Sequence, residues 1–395
     1  MRGSHRLEIV QSPIIPVLAD LLRAHPGALS LGQGIVGYAP PSTVAVHLAR
    51  AAAEAGLHRY QPVAGLPELT AALADWMARR YGVPVGPSHG NRLLVTAGSN
   101  NAFYAALLAA TEPGDEVILP TPYYFNHEMA VTMAGCRPVA VATDASSLPD
   151  PADLAAAVTS RTRVIVTVSP NNPTGAVYPA ATLRAVNALC AARGMYHFSD
   201  EAYAEFVHEG PPHHAPAADP GTADHTVSLH SLSKAFGFAG WRIGWLVCPA
   251  ALEPALRKIQ DTLLICPPVI SQHAALGALA AGPDWIAGQL GPLRENRTRL
   301  QQGLAALAAD GLCSLPPAAG AFYFLPDLRT TLDPLTVAER LIREHGVAVV
   351  PGSAFGCTDG CRLRLAYGAL PSNHAAEAIA RLSRGLRALA QGGRG

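Results

Sequence analysis

The sequence predicts an α/β fold: a mostly parallel sheet with helices on both faces, joined to a smaller α+β domain built from the N- and C-terminal segments. Three observations predict it. Between residues 91 and 249, short apolar runs rich in Val, Ile and Leu alternate with helical patterns, as strands buried on both faces do. From about Trp285 the pattern changes to long helices with short strands between them. The chain has 395 residues, 49% apolar and 15% charged, too many for one small core and enough for a large domain plus a smaller one. The expected division is residues 1–40 packing with the small domain, 41–284 as the large domain and 285–395 as the small one.

The elements follow in order. "LPELTAALADWMARRYG" sets Leu66, Leu69, Leu73, Trp76 and Arg80 at helical spacing, with Pro67 suited to a first turn. "NRLLVTAG" reads as a buried strand and "SNNAFYAALLAAT" as a helix. "DEVILP" is a strand, "YYFNHEMAVTMAG" a helix closed by Gly135, and "RPVAVAT" a strand. "RVIVTV", "MYHFSD", "HTVSLH" and "RIGWLV" are further strands, with the helix "PAATLRAVNALCAARG" between the first two. The C-terminal part contributes a long helix from Trp285, "GAFYFLP", the helix "TVAERLIREHG", strands "VAVVPG" and "CRLRLAYG", and a final helix. Residues 210–224, "GPPHHAPAADPGTAD", read as a loop with His213 and His214 in solvent.

Composition narrows the function. The 29 basic and 29 acidic residues cancel without any block of like charge, which argues against nucleic acid or an acidic membrane as partner. No apolar run reaches the roughly 18 residues a membrane span needs. The seven scattered cysteines form no CxxC and read as free thiols in a reducing cytoplasm, with no metal site expected. "MRGSH" resembles an expression-vector start and is set aside.

Ligands of open α/β sheets gather at the carboxyl ends of the strands, so the residues just past each apolar run matter most. "LLVTA" ends at Gly98-Ser99-Asn100, which opens a helix whose free N–H groups and dipole suit a phosphate; an ordinary cap explains the same residues. "VIVTV" ends at "SPNNPTGAV", where Pro173 pushes Asn172 out of the helical region. "MYHFS" ends at Asp200, with Tyr203 three positions on. "HTVSLH" ends at Ser231, Ser233 and Lys234, and Arg242 follows eight residues later. Burial at such a place lowers a lysine's pKa and makes it a nucleophile, although an isolated Ser-Lys is more often a lysine on a surface loop. Together these residues supply partners for a phosphate, a pyridine nitrogen, a phenolic oxygen and an aldehyde, the four needs of pyridoxal phosphate. A P-loop is ruled out, because Lys234 lacks the spaced glycines that GxxxxGK[ST] requires.

Six motifs in one order, "YQPVAGLPEL", "EPGDEV", "SPNNPTGAVY", "SDEAYAEF", "SLSKAFGFAGWRIGW" and "RLRLAYG", resemble the fold-type-I, aspartate-aminotransferase-like pyridoxal-phosphate enzymes of class I/II. The match runs from about residue 28 to the C-terminus. "ALSLGQGIVGYAPP", "TPYYFNHEMAVTMAG", "KIQDTLLICPPVISQ" and "GVAVVPGSAFG" are most similar to the branch with plant aromatic and methionine aminotransferases.

The resemblance implies the following roles. Lys234 links covalently to the cofactor and moves the substrate's Cα proton. Asp200 keeps the pyridine nitrogen protonated, while Tyr203 and Asn172 bond its phenolic oxygen. Gly98, Ser99, Asn100, Ser231, Ser233 and Arg242 hold the phosphate, and Tyr124 stacks on the ring. Tyr60 reaches the phosphate of a neighbouring subunit, implying a homodimer with composite sites. Arg364 clamps the α-carboxylate, and Gly34 and Asn172 complete the substrate contacts. Arg362 shares Arg364's strand face by parity, so the choice between them rests on the family pattern. Ile35, Val36, Tyr38 and Tyr123 are candidates for an apolar side-chain pocket.

The implied activity is ping-pong transfer of an α-amino group to a 2-oxo acid, with an aromatic or methionine-like donor. A lyase, cyclase or oxidase on the same fold is the alternative. A cofactor-sensing regulator lacks a spare DNA-binding domain and a basic face.

Overall fold

The computed structural model describes residues 4–392, so Met1, Arg2 and Gly3 of the suspected vector start and residues 393–395 lie outside the described residues. The strands are β1 (Leu29–Ser30), β2 (Asn91–Thr96), β3 (Glu116–Thr121), β4 (Arg137–Ala142), β5 (Thr162–Val168), β6 (Tyr196–Asp200), β7 (Thr226–Ser231) and β8 (Gly244–Pro249). In the C-terminal part follow β9 (Cys313–Ser314), β10 (Tyr323–Phe324), β11 (Asp327–Leu328), β12 (Val347–Ala348), β13 (Val350–Pro351) and β14 (Cys361–Ala366).

Seven strands form one sheet in the order β2-β8-β7-β6-β5-β3-β4. β3, β4, β5, β6 and β7 pair in parallel, and β8 is antiparallel to both β2 and β7. Two consequences follow from that topology. The carboxyl ends of β2, β3, β5, β6 and β7 meet at one edge. The start of β8 lies at the same edge, so Arg242, two residues before Gly244, arrives there from the opposite chain direction.

Helices cover the sheet on both faces. In the helix Pro67–Tyr81, Leu69, Leu73 and Met77 are wholly buried, each contributing about 1.5–3 kcal/mol. Gly82 ends it at φ 69, a conformation glycine adopts without Cβ strain. The helix expected to close at Gly135 runs Phe125–Met133 with Ala134 as its cap, and Gly135 makes the turn at φ 78. Helices at Ile14–Ala24, Thr43–Ala51, Glu253–Leu264 and Val269–Ala280 were not legible beforehand. Val269–Ala280 shows why: it is apolar almost all round and packs on Thr43–Ala51 with Gly277 against Val44, so no amphipathic stripe marks it.

The smaller sheet runs β10-β14-β11-β9, with β13 also on β14. β1 pairs in parallel with β12, and Leu31 then bridges β12 and β14: its N–H donates to Ala348 O at 2.8 Å and its carbonyl accepts from Ala366 N at 2.6 Å. This threading carries Gly32 and Gly34 to the mouth of the large sheet. Among the described residues no single helix is long and apolar enough to cross a membrane.

Candidate active site

One cavity opens at the shared strand edge, and Ser99, Asn100, Tyr124, Asn172, Asp200, Tyr203, Ser231, Ser233, Lys234 and Arg242 all line it. Gly98, Gly34 and Arg364 stand directly behind these residues. Tyr60 is the exception among the sequence-predicted set, 77% exposed and outside the cavity of its own chain.

The anion-binding end is built from backbone and side chain together. The helix Ser99–Ala110 starts after Gly98, whose φ of 86 lies in the region that favours glycine. A Cβ on Gly98 would collide with the Arg242 guanidinium, so the glycine lets cation and helix start share one spot. Arg242 itself sits at φ 54, uncommon for a side chain of its size. Its Nη1 donates to Ala239 O at 2.9 Å. Ser231 ends β7, and its Oγ accepts from Ser233 N at 3.0 Å and donates to Ser233 Oγ at 2.8 Å. N–H groups, two hydroxyls and a guanidinium around one space fit a phosphate.

Opposite it lies Asp200, buried at the end of β6. One carboxylate oxygen accepts from Ala202 N at 3.1 Å, and the other lies 3.1 Å from His127 Nε2. His127 stacks on Phe103 with ring centroids 4.1 Å apart, which fixes its plane. Sequence reasoning passed over His127. The available signal was its spacing three residues after Tyr124 on one helix.

Lys234 lies in the single helical turn Leu232–Ala235. Its Nζ donates to Gly34 O at 2.5 Å, and Tyr38 OH donates to the Lys234 carbonyl at 2.7 Å. Burial, followed by the nearby Arg364 and Arg242 cations, lowers the amine to about 8, with Asp200 opposing the shift. Roughly one amine in ten is therefore neutral at pH 7, against one in thousands for an ordinary lysine.

Arg364 is 2% exposed. Its Nη1 donates to Asn172 Oδ1 at 2.9 Å and its Nη2 to Gly32 O at 2.7 Å, while Nε has no partner. The guanidinium carbon lies 4.8 Å from the Tyr323 ring centroid and 5.0 Å from that of Phe355. Arg362, one strand repeat away, instead faces Asp327 and Asp359. The two arginines that parity could not separate are thus separated by their surroundings.

One reading needs correction. His213 is not in solvent: its side chain is 2% exposed, with Nε2 2.7 Å from Glu201 Oε2. His214 is likewise held, 2.9 Å from Asp219 Oδ2. A loop rich in proline and alanine hid both pairings, whose carboxylates lie 12 and 5 residues away. Ile35, Val36, Tyr38 and Tyr123 do not line the cavity at Lys234. Tyr38 spends its hydroxyl on the Lys234 and Ala235 carbonyls and its ring edge on Trp285, and Tyr123 packs against Gly356.

Comparisons with known proteins place the chain in a family. Residues 26–382 match the family model for aminotransferase class I and II. The aspartate/prephenate aminotransferase of Thermus thermophilus is 35% identical over 393 residues, covering 97% of this chain and 99% of that one. An aromatic aminotransferase of Arabidopsis thaliana is 30% identical over 387 residues, covering 95% and 94%. The solved structure of aspartate aminotransferase from Thermus thermophilus with maleate superposes with a TM-score of 0.88 at 33% identity, covering 98% of this chain and all of that one. The chain belongs to the class I and II aminotransferases. It has their fold-type-I architecture, and it is an enzyme of that class.

Proposed function

We propose that the protein uses pyridoxal 5'-phosphate to move the α-amino group of an amino acid onto a 2-oxo acid in two half-reactions. When bound, the cofactor supplies an aldehyde for the amine and a ring that accepts the electrons of the Cα–H bond. The cradle of Gly98, Ser99, Asn100, Ser231, Ser233 and Arg242 suits its phosphate, and Tyr124 offers a stacking face. Asp200, steadied by His127, presents a carboxylate to the pyridine nitrogen. Tyr203 and Asn172 present donors to the phenolic oxygen.

The observation that carries the reading is Lys234 lining the cavity with the buried Arg364 directly behind it, bonded to the cavity residue Asn172. Lys234 is a nucleophile at neutral pH because burial and two arginines disfavour its charge. Displaced by the incoming amine, it is placed to take the Cα proton and return it. Arg364 is a buried cation with no carboxylate partner among the described residues. Five guanidinium N–H groups less the two already used leave three, enough to grip a substrate α-carboxylate, with Gly34 alongside.

An aromatic or methionine-like donor is our reading of the motifs shared with the plant branch. Tyr60, exposed in the single chain, is assigned to the phosphate of a second subunit in a homodimer. The seven cysteines, all buried and unpaired, support a reducing compartment, and we place the enzyme in the cytoplasm.

A donor–acceptor panel on the purified protein tests the function. The expected result is one keto acid formed for each acceptor consumed, with parallel-line kinetics. Ammonia release or oxygen uptake without an acceptor would assign the chain to elimination or oxidation chemistry instead.

A further inference from the structure

We infer that Tyr323 is a positioning residue that sets the donor strength of Tyr203, and through it the protonation of the Lys234-linked cofactor; this rests on the cofactor reading above. Tyr203 OH and Tyr323 OH lie 2.6 Å apart, and both phenols are buried, at 5% and 0% exposure. Asn172 Nδ2 donates to Tyr203 OH at 3.3 Å, and Asn172 Oδ1 accepts from Arg364. The Arg364 guanidinium in turn lies over the Tyr323 ring. Four residues therefore close a loop, and Tyr323 is the one member that neither lines the cavity nor carries a charge.

Hydroxyl bookkeeping fixes the direction of the effect. A phenol has one proton to give and lone pairs to accept with. When the proton of Tyr203 points into the cavity, the short contact to Tyr323 is satisfied only if Tyr323 donates to Tyr203. Tyr203 then accepts from Asn172 and from Tyr323 while donating to the ligand oxygen, and each accepted bond polarises it into a stronger donor. Burial pushes Tyr203 well above the ordinary phenol range and Tyr323 up to about 12, so both keep their protons at working pH. The chain makes room for this arrangement at Gly34, where a Cβ would stand 2.6 Å from the Tyr323 hydroxyl.

The test is a spectrophotometric pH titration of the cofactor-loaded protein. Tyr323→Phe keeps the ring under Arg364 and removes only the hydroxyl. Its visible band is expected to titrate higher than in the unaltered protein by roughly half a unit to one unit, the reach of one hydrogen bond. Gly34→Ala, which displaces the hydroxyl without deleting it, is expected to shift the band the same way. In a Tyr203→Phe background, adding Tyr323→Phe is expected to move nothing further. An unchanged titration in Tyr323→Phe, or a shift that persists without the Tyr203 hydroxyl, overturns the inference. A pH-dependent band missing from the unaltered protein would instead remove the cofactor reading and this inference with it.

Discussion

Arg364 and Asn172 are joined by a 2.9 Å hydrogen bond at the buried end of the site, and among the described residues the arginine has no carboxylate to neutralise it. A cation placed there costs folding free energy unless an anion meets it. Under the proposed function that anion is the substrate α-carboxylate.

Arg364→Ala is expected to raise KM for every amino acid tested by roughly 100-fold, the loss of charge-assisted hydrogen bonds, while the cofactor stays bound. Arg362→Ala, which gives up only Asp327 and Asp359, is expected to leave KM within a few-fold. Steady-state kinetics on both variants checks the contrast.

The depressed pKa of Lys234 has a stability signature in the cofactor-free protein. Between about 8 and the ordinary 10.5, the unfolded chain binds a proton that the folded chain does not, so stability rises with pH across that window. The full cost stands below it. Lys234→Met is therefore expected to stabilise the cofactor-free protein by about 3 kcal/mol at pH 7, with the gain fading by pH 10.5. Chemical denaturation at the two pH values measures it.

Behind the site, His213 meets Glu201, the neighbour of Asp200, with both side chains almost wholly buried. His213→Ala leaves that carboxylate short of its closest partner. The expected cost is about 2–3 kcal/mol of stability, as for a hydrogen bond to a buried charge, read by thermal or denaturant unfolding.

Legibility from sequence followed the range of the physics. Strand ends carry local signals, apolar runs that stop at Asp200, Ser231 or Thr96, and the residues expected just past them, from Ser99 and Asn100 to Ser231, Ser233 and Lys234, line one cavity. Contacts made across the fold had no such signal. Tyr323 meets Tyr203 from 120 positions away, and nothing around "GAFYFLP" announces it. His213 was misplaced because a loop rich in proline and alanine gives no sign of the carboxylate it will meet. The helix Val269–Ala280 went unseen because apolar residues almost all round it, including the exposed Ile270, erase the stripe that marks an amphipathic helix.

Borohydride reduction of the cofactor-loaded protein, followed by peptide mapping, tests the central claim most directly. A pyridoxyl group is expected on the peptide carrying Lys234 and on no other. An unmodified Lys234, or label fixed at another lysine, would contradict the account.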